Sequence, residues 1–278
     1  MEQTVELTVA SSAVTHVGRV RRINEDAIFA HNPVFIVADG MGGHDSGNLA
    51  SAIVVEEMGK LALQVPVDVA AVKTRLDVAR ERIFELDAIH ANRQAGTTVS
   101  GVVIVDQDGL PYWLVVNLGD SRTYKLTDAR LEQLSVDHSE VQEMVDAGRI
   151  ARDQISHHPR RNVVTKALGG GARDDPDYWL IPIGESDRIL ICSDGLTSEV
   201  PDHEIAAALM VNADPADATK TLLRAALNGG GRDNISIVVV DAWGLGGDAP
   251  IEAMTVDELA AASEDTVPQA HRTPGGES

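Results

Sequence analysis

The sequence contains one cysteine, Cys192, and few aromatic residues, which make up 3% of its 278 positions. A single cysteine excludes an internal disulfide framework and is typical of proteins from a reducing compartment. Because aromatics are scarce, a core has to be built from aliphatic side chains, and apolar residues in total reach 44%. This content is enough for one large domain or two small ones.

Long apolar runs are also missing: none approaches the ~20 residues that span a bilayer, and the N-terminus lacks a signal-peptide hydrophobic region. Basic residues are few, 23 against 43 acidic ones, which gives a net charge of −20. This balance argues against nucleic acid or an anionic membrane as the main partner and suits a protein that gathers divalent cations. We therefore expect a cytoplasmic protein that binds neither.

The clearest local pattern lies at residues 35–47, where a short apolar, β-prone segment runs into a glycine-rich turn. Asp39 stands at the junction, and Gly40, Gly42 and Gly43 follow it. A carboxylate held at a sheet edge, beside a backbone that folds back tightly, can bind a hard metal ion. An isolated Asp-Gly pair would be an ordinary turn, so this interpretation depends on whether further acids occupy similar positions.

Further acids do stand next to glycine or a turn, where an apolar β-run begins or ends. They are Asp120, Asp194 and Asp233, and Glu25 and Asp26 have a similar setting. Several carboxylates brought together without cations would repel one another strongly. Oxygen ligands without a Cys/His cluster favour Mg²⁺ or Mn²⁺ over Zn²⁺.

Two basic segments stand out in this acidic chain. Arg21 belongs to a polar segment that is either a solvated turn or a phosphate site, for which the planar guanidinium is suited. Between residues 149 and 173, six bases face one acid, Asp153. This locally positive charge has two interpretations. The segment is either a loop that balances acidic neighbours or a flap that meets a phosphorylated substrate segment. The bases are Arg149, Arg152, Arg160, Arg161, Lys166 and Arg173.

Periodicity and turn signals predict a mixed α and β chain. The predicted helices cover residues 48–63, 68–93, 140–147, about 201–211 and 215–227, and a hairpin turn is predicted at 106–109. From residue 246 to 278 there are seven acids, one base and three prolines, which predicts a largely disordered acidic tail.

In their order along the chain, these motifs resemble those of bacterial-type PP2C (PPM) metal-dependent protein serine/threonine phosphatases. The resemblance covers roughly residues 8–242. The matching stretches are residues 21–26, 37–44, 96–98, 117–122, 137–139, 162–169, 192–195 and 233–234.

The resemblance implies an α+β fold, a four-layer αββα sandwich of two antiparallel sheets flanked by helices. Residues 1–245 would form the catalytic domain with a flap at about 138–173, and residues 246–278 the tail. Two Mn²⁺ or Mg²⁺ ions, or three as in bacterial members, would lie at one end of the sandwich. The implied ligands are Glu25, Asp26, Asp39, Gly40, Asp120, Asp194 and Asp233, with Asp39 bridging two ions, Gly40 binding through its carbonyl, and Asp120 with Asp194 holding the third.

The implied activity is hydrolysis of phosphoserine and phosphothreonine in proteins by direct attack of a metal-bridging hydroxide. Arg21 would bind the phosphoryl group, and the basic segment falls where the family has its flap, which favours substrate contact by Arg149, Arg152, Arg160, Arg161 and Lys166. We expect a signalling enzyme, a monomer that acts on substrates of a bacterial serine/threonine kinase.

Three positions depart from the family pattern. Met41 stands where the animal-type enzymes have the histidine assigned as general acid, so His44 and a water on the third metal are the candidate proton donors. Asn48 replaces a glutamate common in bacterial members, and Lys166 replaces the usual arginine. Two alternatives remain open: a non-catalytic, phosphatase-like module that binds phosphoproteins, and a partner-switching phosphatase of an anti-sigma-factor antagonist.

Overall fold

The computed structural model of the protein describes residues 7–42, 46–64, 66–89, 94–107, 109–243 and 254–255. Its strands are β1 (Thr8–His16), β2 (Asp26–His31), β3 (Val34–Met41), β4 (Gly96–Thr97), β5 (Val99–Gln107), β6 (Leu110–Leu118), β7 (Arg122–Thr127), β8 (Arg130–Gln133), β9 (Leu168–Gly169), β10 (Ala172–Arg173), β11 (Asp177–Pro182), β12 (Ser186–Cys192), β13 (Ile235–Trp243) and β14 (Met254–Thr255). Its helices are α1 (Ser46–Gly59), α2 (Val69–Ile89), α3 (Glu140–Asp146), α4 (Asp194–Thr197), α5 (Asp202–Val211) and α6 (Pro215–Gly229), and Lys60–Leu63 and Arg152–His157 form 3₁₀ turns.

The described strands form two antiparallel sheets. One has the order β1-β13-β12-β7-β8, and the other has the order β10-β9-β4-β3-β5-β6-β11-β14, with β2 paired to β3. Strands rich in Val and Ile, above all β5 and β13, favour such pairing because branched side chains pack well on a pleated surface.

Buried apolar side chains on alternate faces of the central strands build the layers of the fold. In β3, Phe35 and Val37 face the opposite sheet, which contains β12 and β13. Val34 and Ile36 face the helices α1 and α2. The strands β12 and β13 likewise contribute one face to the core between the sheets and the other to a core with α4, α5 and α6. Since side chains of a strand point alternately to its two faces, each sheet is covered on both sides. The predicted αββα sandwich is confirmed.

Helix bounds differ modestly from the predicted ones. The first helix begins at Ser46, and its last predicted turn is the 3₁₀ turn Lys60–Leu63. Met254–Thr255 of the predicted disordered tail pair with Leu180 and Trp179 of β11, and the rest of that tail lies outside the described residues. None of the helices in the described ranges combines the length and apolar character needed to cross a membrane.

Candidate metal and phosphate site

Asp39 is held by its own backbone near the end of β3. Its N–H donates to Thr98 Oγ1 at 3.0 Å, and its carbonyl accepts from Thr98 N–H at 2.8 Å and Thr97 Oγ1 at 3.0 Å. Gly40 follows in close contact with α1: a Cβ there would lie 2.2 Å from the Gly47 carbonyl oxygen. Only glycine allows this approach, which fixes the carboxylate and the neighbouring carbonyl together.

Asp26 lies opposite Asp39 in the β2–β3 ladder and is 9% exposed. Its Oδ2 accepts from Ser193 Oγ at 2.9 Å, whereas its Oδ1 has no hydrogen-bond partner in the described part of the chain. Burial raises the pKa of Asp26 to about 6, partly opposed by hydrogen bonds from Ser236 and Ser193. A buried oxygen without a partner suits a cation or a water bound to one.

Loop 17–25 carries Arg21 and Glu25 and is fastened by Asn234. The Asn234 side chain donates to the carbonyls of Val17 and Ile23, both at 3.0 Å, and its Oδ1 accepts from Glu25 N–H at 2.9 Å. This small loop therefore has a fixed place beside the first residues of β13.

Arg21 is the predicted phosphate-binding residue, and its Nη2 lies 2.7 Å from Asp233 Oδ2. The hydrogen bond that Arg21 donates to Asp233, together with nearby carboxylates, raises the pKa of Arg21. Its side chain is 51% exposed, so the guanidinium remains open to an anion from solution. The predicted arginine and a predicted metal ligand are thus direct neighbours.

Asp120 and Asp194 come from the ends of β6 and β12. Gly119, with φ of +109°, turns the chain after β6; its N–H donates to His138 Nδ1 at 3.1 Å, and its carbonyl accepts from His138 N–H at 2.8 Å. Asp194 is the first residue of α4 and precedes Gly195, where a Cβ would lie 1.9 Å from the Asn234 carbonyl oxygen. Both acids are therefore fixed by turns that require glycine.

The carboxylates act on one another electrostatically. Burial raises the pKa of Asp39 well above its usual value, and Asp26, Asp194 and Asp120 raise it further. Burial and the neighbouring Asp120 also raise the pKa of Asp194. Burial together with Asp137 raises the pKa of Asp120 to about 6. These shifts show that the buried negative charges are unfavourable together, and a bound cation would relieve their repulsion.

Among the described residues, no group of three or more His, Cys, Asp or Glu side chains already has the arrangement of a metal shell. The coupled carboxylates are compatible with a metal centre all the same, because repelling carboxylates need not close on one point before a cation is bound. An all-oxygen donor set and the unpaired Asp26 Oδ1 both suit Mg²⁺ or Mn²⁺.

The structure thus places all eight of the described metal and phosphate residues predicted from the sequence in one region, whereas His44 lies outside the described residues. Sequence reasoning did not assign roles to Asn234, Ser193 or His138. Each of them belonged to a recognised motif, but a hydrogen bond to a residue distant in the chain leaves no local pattern.

Two of the five predicted flap residues adjoin this site. Arg152 and Arg161 line a cavity of about 570 Å³ whose wall also includes Asp120 and Asp194. Arg160 instead forms an ion pair with Glu140 of α3. The cavity was not expected from the sequence.

Comparisons with known proteins agree with this geometry. A family model described as protein phosphatase 2C matches residues 19–228. Protein phosphatase PhpP of Streptococcus pneumoniae is 32% identical over 239 residues, 82% of this chain and 96% of PhpP. The crystal structure of the serine/threonine phosphatase PstP/Ppp of Mycobacterium tuberculosis has a TM-score of 0.79 at 32% identity and covers 84% of this chain and 98% of its own. The structure of the catalytic domain of PstP in complex with two manganese ions has a TM-score of 0.78 at 31% identity. It covers 86% of this chain and 100% of its own. This chain therefore belongs to the protein phosphatase 2C family.

Proposed function

We propose that the protein is a metal-dependent phosphatase that hydrolyses phosphoserine and phosphothreonine in other proteins. The observation that carries the proposal is the group of buried carboxylates around Asp39, whose raised pKa values favour a bound cation. Several relatives are named serine/threonine phosphatases, and the structure of one is described with two manganese ions. We further propose a cytoplasmic monomer whose substrates are made by a bacterial serine/threonine kinase.

The proposed ligands divide among two or three ions. Asp39 would bridge two of them, and the Gly40 carbonyl, Asp194 and Asp233 would complete their shells. Glu25 and Asp26 would bind metal-held waters, and Asp120 with Asp194 would hold a third ion. When bound, such ions supply an activated nucleophile and neutralise charge on the phosphoryl oxygens.

The chain's own contribution is to orient and bind the substrate. Phosphate monoesters need accelerations of up to ~10²¹, and a side-chain base alone contributes about 10²–10⁴. Arg21 can donate two hydrogen bonds to phosphoryl oxygens, and its exposed position beside Asp233 leaves it accessible. His44 and a water on the third ion stay the candidate proton donors, because Met41 cannot supply a proton. The exposed bases of the flap would contact the protein around the phosphoresidue.

The decisive experiment measures hydrolysis of a phosphothreonine peptide and of p-nitrophenyl phosphate with Mn²⁺ or Mg²⁺, and then with EDTA. We expect turnover only with metal, and none in Asp233→Ala at the same metal concentration. The fluorescence-monitored unfolding of both proteins serves as the folding control. Metal-dependent turnover by Asp233→Ala at the wild-type rate would contradict the assigned site, and a covalent phosphoenzyme that accumulates would contradict direct hydrolysis.

A further inference from the structure

The cavity beside the metal and phosphate site has one wall from the sandwich and one from the flap. Asp120 and Asp194 lie on the first wall, and Arg152, Arg161 and Asn162 lie on the second. A volume of about 570 Å³ is within the range of ligand-binding sites and exceeds what one side chain needs. Any segment whose phosphoresidue reaches Asp194 can therefore place a neighbouring residue in this cavity.

Most charges of the sandwich wall already have partners. Arg122 binds Asp137 through Nε at 2.9 and 3.0 Å and through Nη2 at 2.7 Å, so this pair is neutral as a unit. The Asp202 carboxylate accepts a hydrogen bond from Tyr124 OH at 3.2 Å. Asp120 and Asp194 face the proposed cations. Little of this wall's charge is left to select a ligand.

The flap wall differs because its arginines have no ion pair within the described part of the chain. Arg160 is paired with Glu140 and Arg173 with Glu81, whereas Arg152 and Arg161 are exposed and unpaired there. Asp153 is the single acid on this wall. Two guanidinium groups against one carboxylate leave a net positive surface, and guanidinium groups bind carboxylates with paired hydrogen bonds.

We propose that this cavity is a specificity subsite in which Arg152 and Arg161 bind the side chain of an acidic residue that flanks the substrate phosphoresidue. The inference rests on the proposed phosphatase function and names the class of substrate segment it prefers. Successive residues of an extended peptide are about 3.3 Å apart, so the acidic residue lies within a few positions of the phosphothreonine.

The test uses two phosphothreonine peptides that differ only in having Glu or Gln at the flanking positions. We expect wild-type kcat/KM to favour the Glu peptide about tenfold, the size of one charge-assisted hydrogen bond, mainly through KM. Arg161→Gln and Arg152→Gln should each lower this ratio toward one. Arg224→Gln, the same substitution at an exposed arginine of α6 outside the flap and the cavity lining, should keep the wild-type ratio.

The ratio within each variant cancels any general change in turnover or folding. A wild-type ratio of one, or an equal loss of the ratio in Arg224→Gln, would overturn the subsite. Hydrolysis of p-nitrophenyl phosphate separates the two proposals, since it has no flanking residue. If wild type does not hydrolyse it with Mn²⁺, the phosphatase function fails and the subsite with it; turnover without peptide discrimination removes the subsite alone.

Discussion

The metal and phosphate site and the flap are adjacent but built in opposite ways. The acids of the site are held by short backbone hydrogen bonds and by glycines that allow close contact, as at Asp39 and Gly40. The basic segment of the predicted flap, residues 149–173, has mainly exposed bases, several of which have no ion pair within the described residues. A fixed site suits one reaction geometry, whereas an exposed basic surface suits protein segments that vary.

The contrast extends to charge. The site brings carboxylates together at a cost in stability, which the raised pKa values of Asp39 and Asp194 express. The flap has the opposite sign in a chain of net charge −20. We infer that the first region carries the reaction and the second carries substrate choice. The following predictions separate these two roles.

Replacement of Asp39 by Asn should have the largest effect. Loss of the predicted bridging carboxylate removes several kcal/mol of transition-state stabilisation, so we expect kcat/KM to fall by ~10³ or more. In EDTA the same variant should be more stable than wild type by about 1 kcal/mol, because one repelling charge is gone. Steady-state kinetics and urea unfolding measure the two effects. A variant that is both inactive and less stable in EDTA would show that Asp39 has a structural role instead.

Stability of the metal-free protein should depend on pH through Asp26. Its pKa is about 6 in the folded protein, against an ordinary value of 3.8, so the folded state holds this proton more tightly than the unfolded chain does. As pH rises from about 4 to 6, the folded state therefore loses stability, by the order of 2 kcal/mol. Urea unfolding in EDTA across this range measures the slope.

Asp26→Asn is the matched control. It is needed because carboxylates in ion pairs have the opposite effect: they lose their contribution to stability as pH falls. Glu56, for example, has a pKa lowered to about 2, mainly by the hydrogen bond from Arg82, so its contribution is lost as pH falls. The difference between wild type and Asp26→Asn isolates the one group. Identical pH profiles would contradict the raised pKa.

Replacement of Asn234 by Ala should reduce kcat/KM by about 10- to 100-fold. Its three hydrogen bonds hold the loop that presents Arg21 and Glu25, so their loss leaves Arg21, the proposed phosphate-binding residue, less well oriented. Calorimetric Mn²⁺ titration of the variant should change less than its KM for phosphopeptide. The control is Asn24→Ala in the same loop, whose side chain donates to Thr15 Oγ1 at 2.8 Å and accepts from Asp26 N–H at 3.3 Å. Equal losses in the two variants would show that general loosening of the loop is enough.

The fold and the acids could be predicted because their signals are local. Asp39, Asp120, Asp194 and Asp233 each stand beside glycine or a turn at the end of an apolar run, and alternation within those runs indicates the layers. Asn234 and Ser193 could not be assigned from such signals, since their partners lie about 167 to 217 positions away in the chain. For the flap, composition predicted the positive charge but not which arginines face the cavity.

The smallest predicted effect distinguishes residues within the flap. Arg160 is paired with Glu140 on the surface, and exposed ion pairs contribute only about 0–1 kcal/mol to stability. Because this pairing occupies its guanidinium, Arg160→Gln should change KM for a phosphopeptide by less than about twofold, whereas the adjacent Arg161→Gln should raise it several-fold. Measuring both variants at low and high salt shows whether the difference persists when surface charge is screened. If both variants change KM equally and high salt removes both changes, the flap attracts substrates through its overall charge. The contrast between a fixed site and a selective flap would then rest on charge alone.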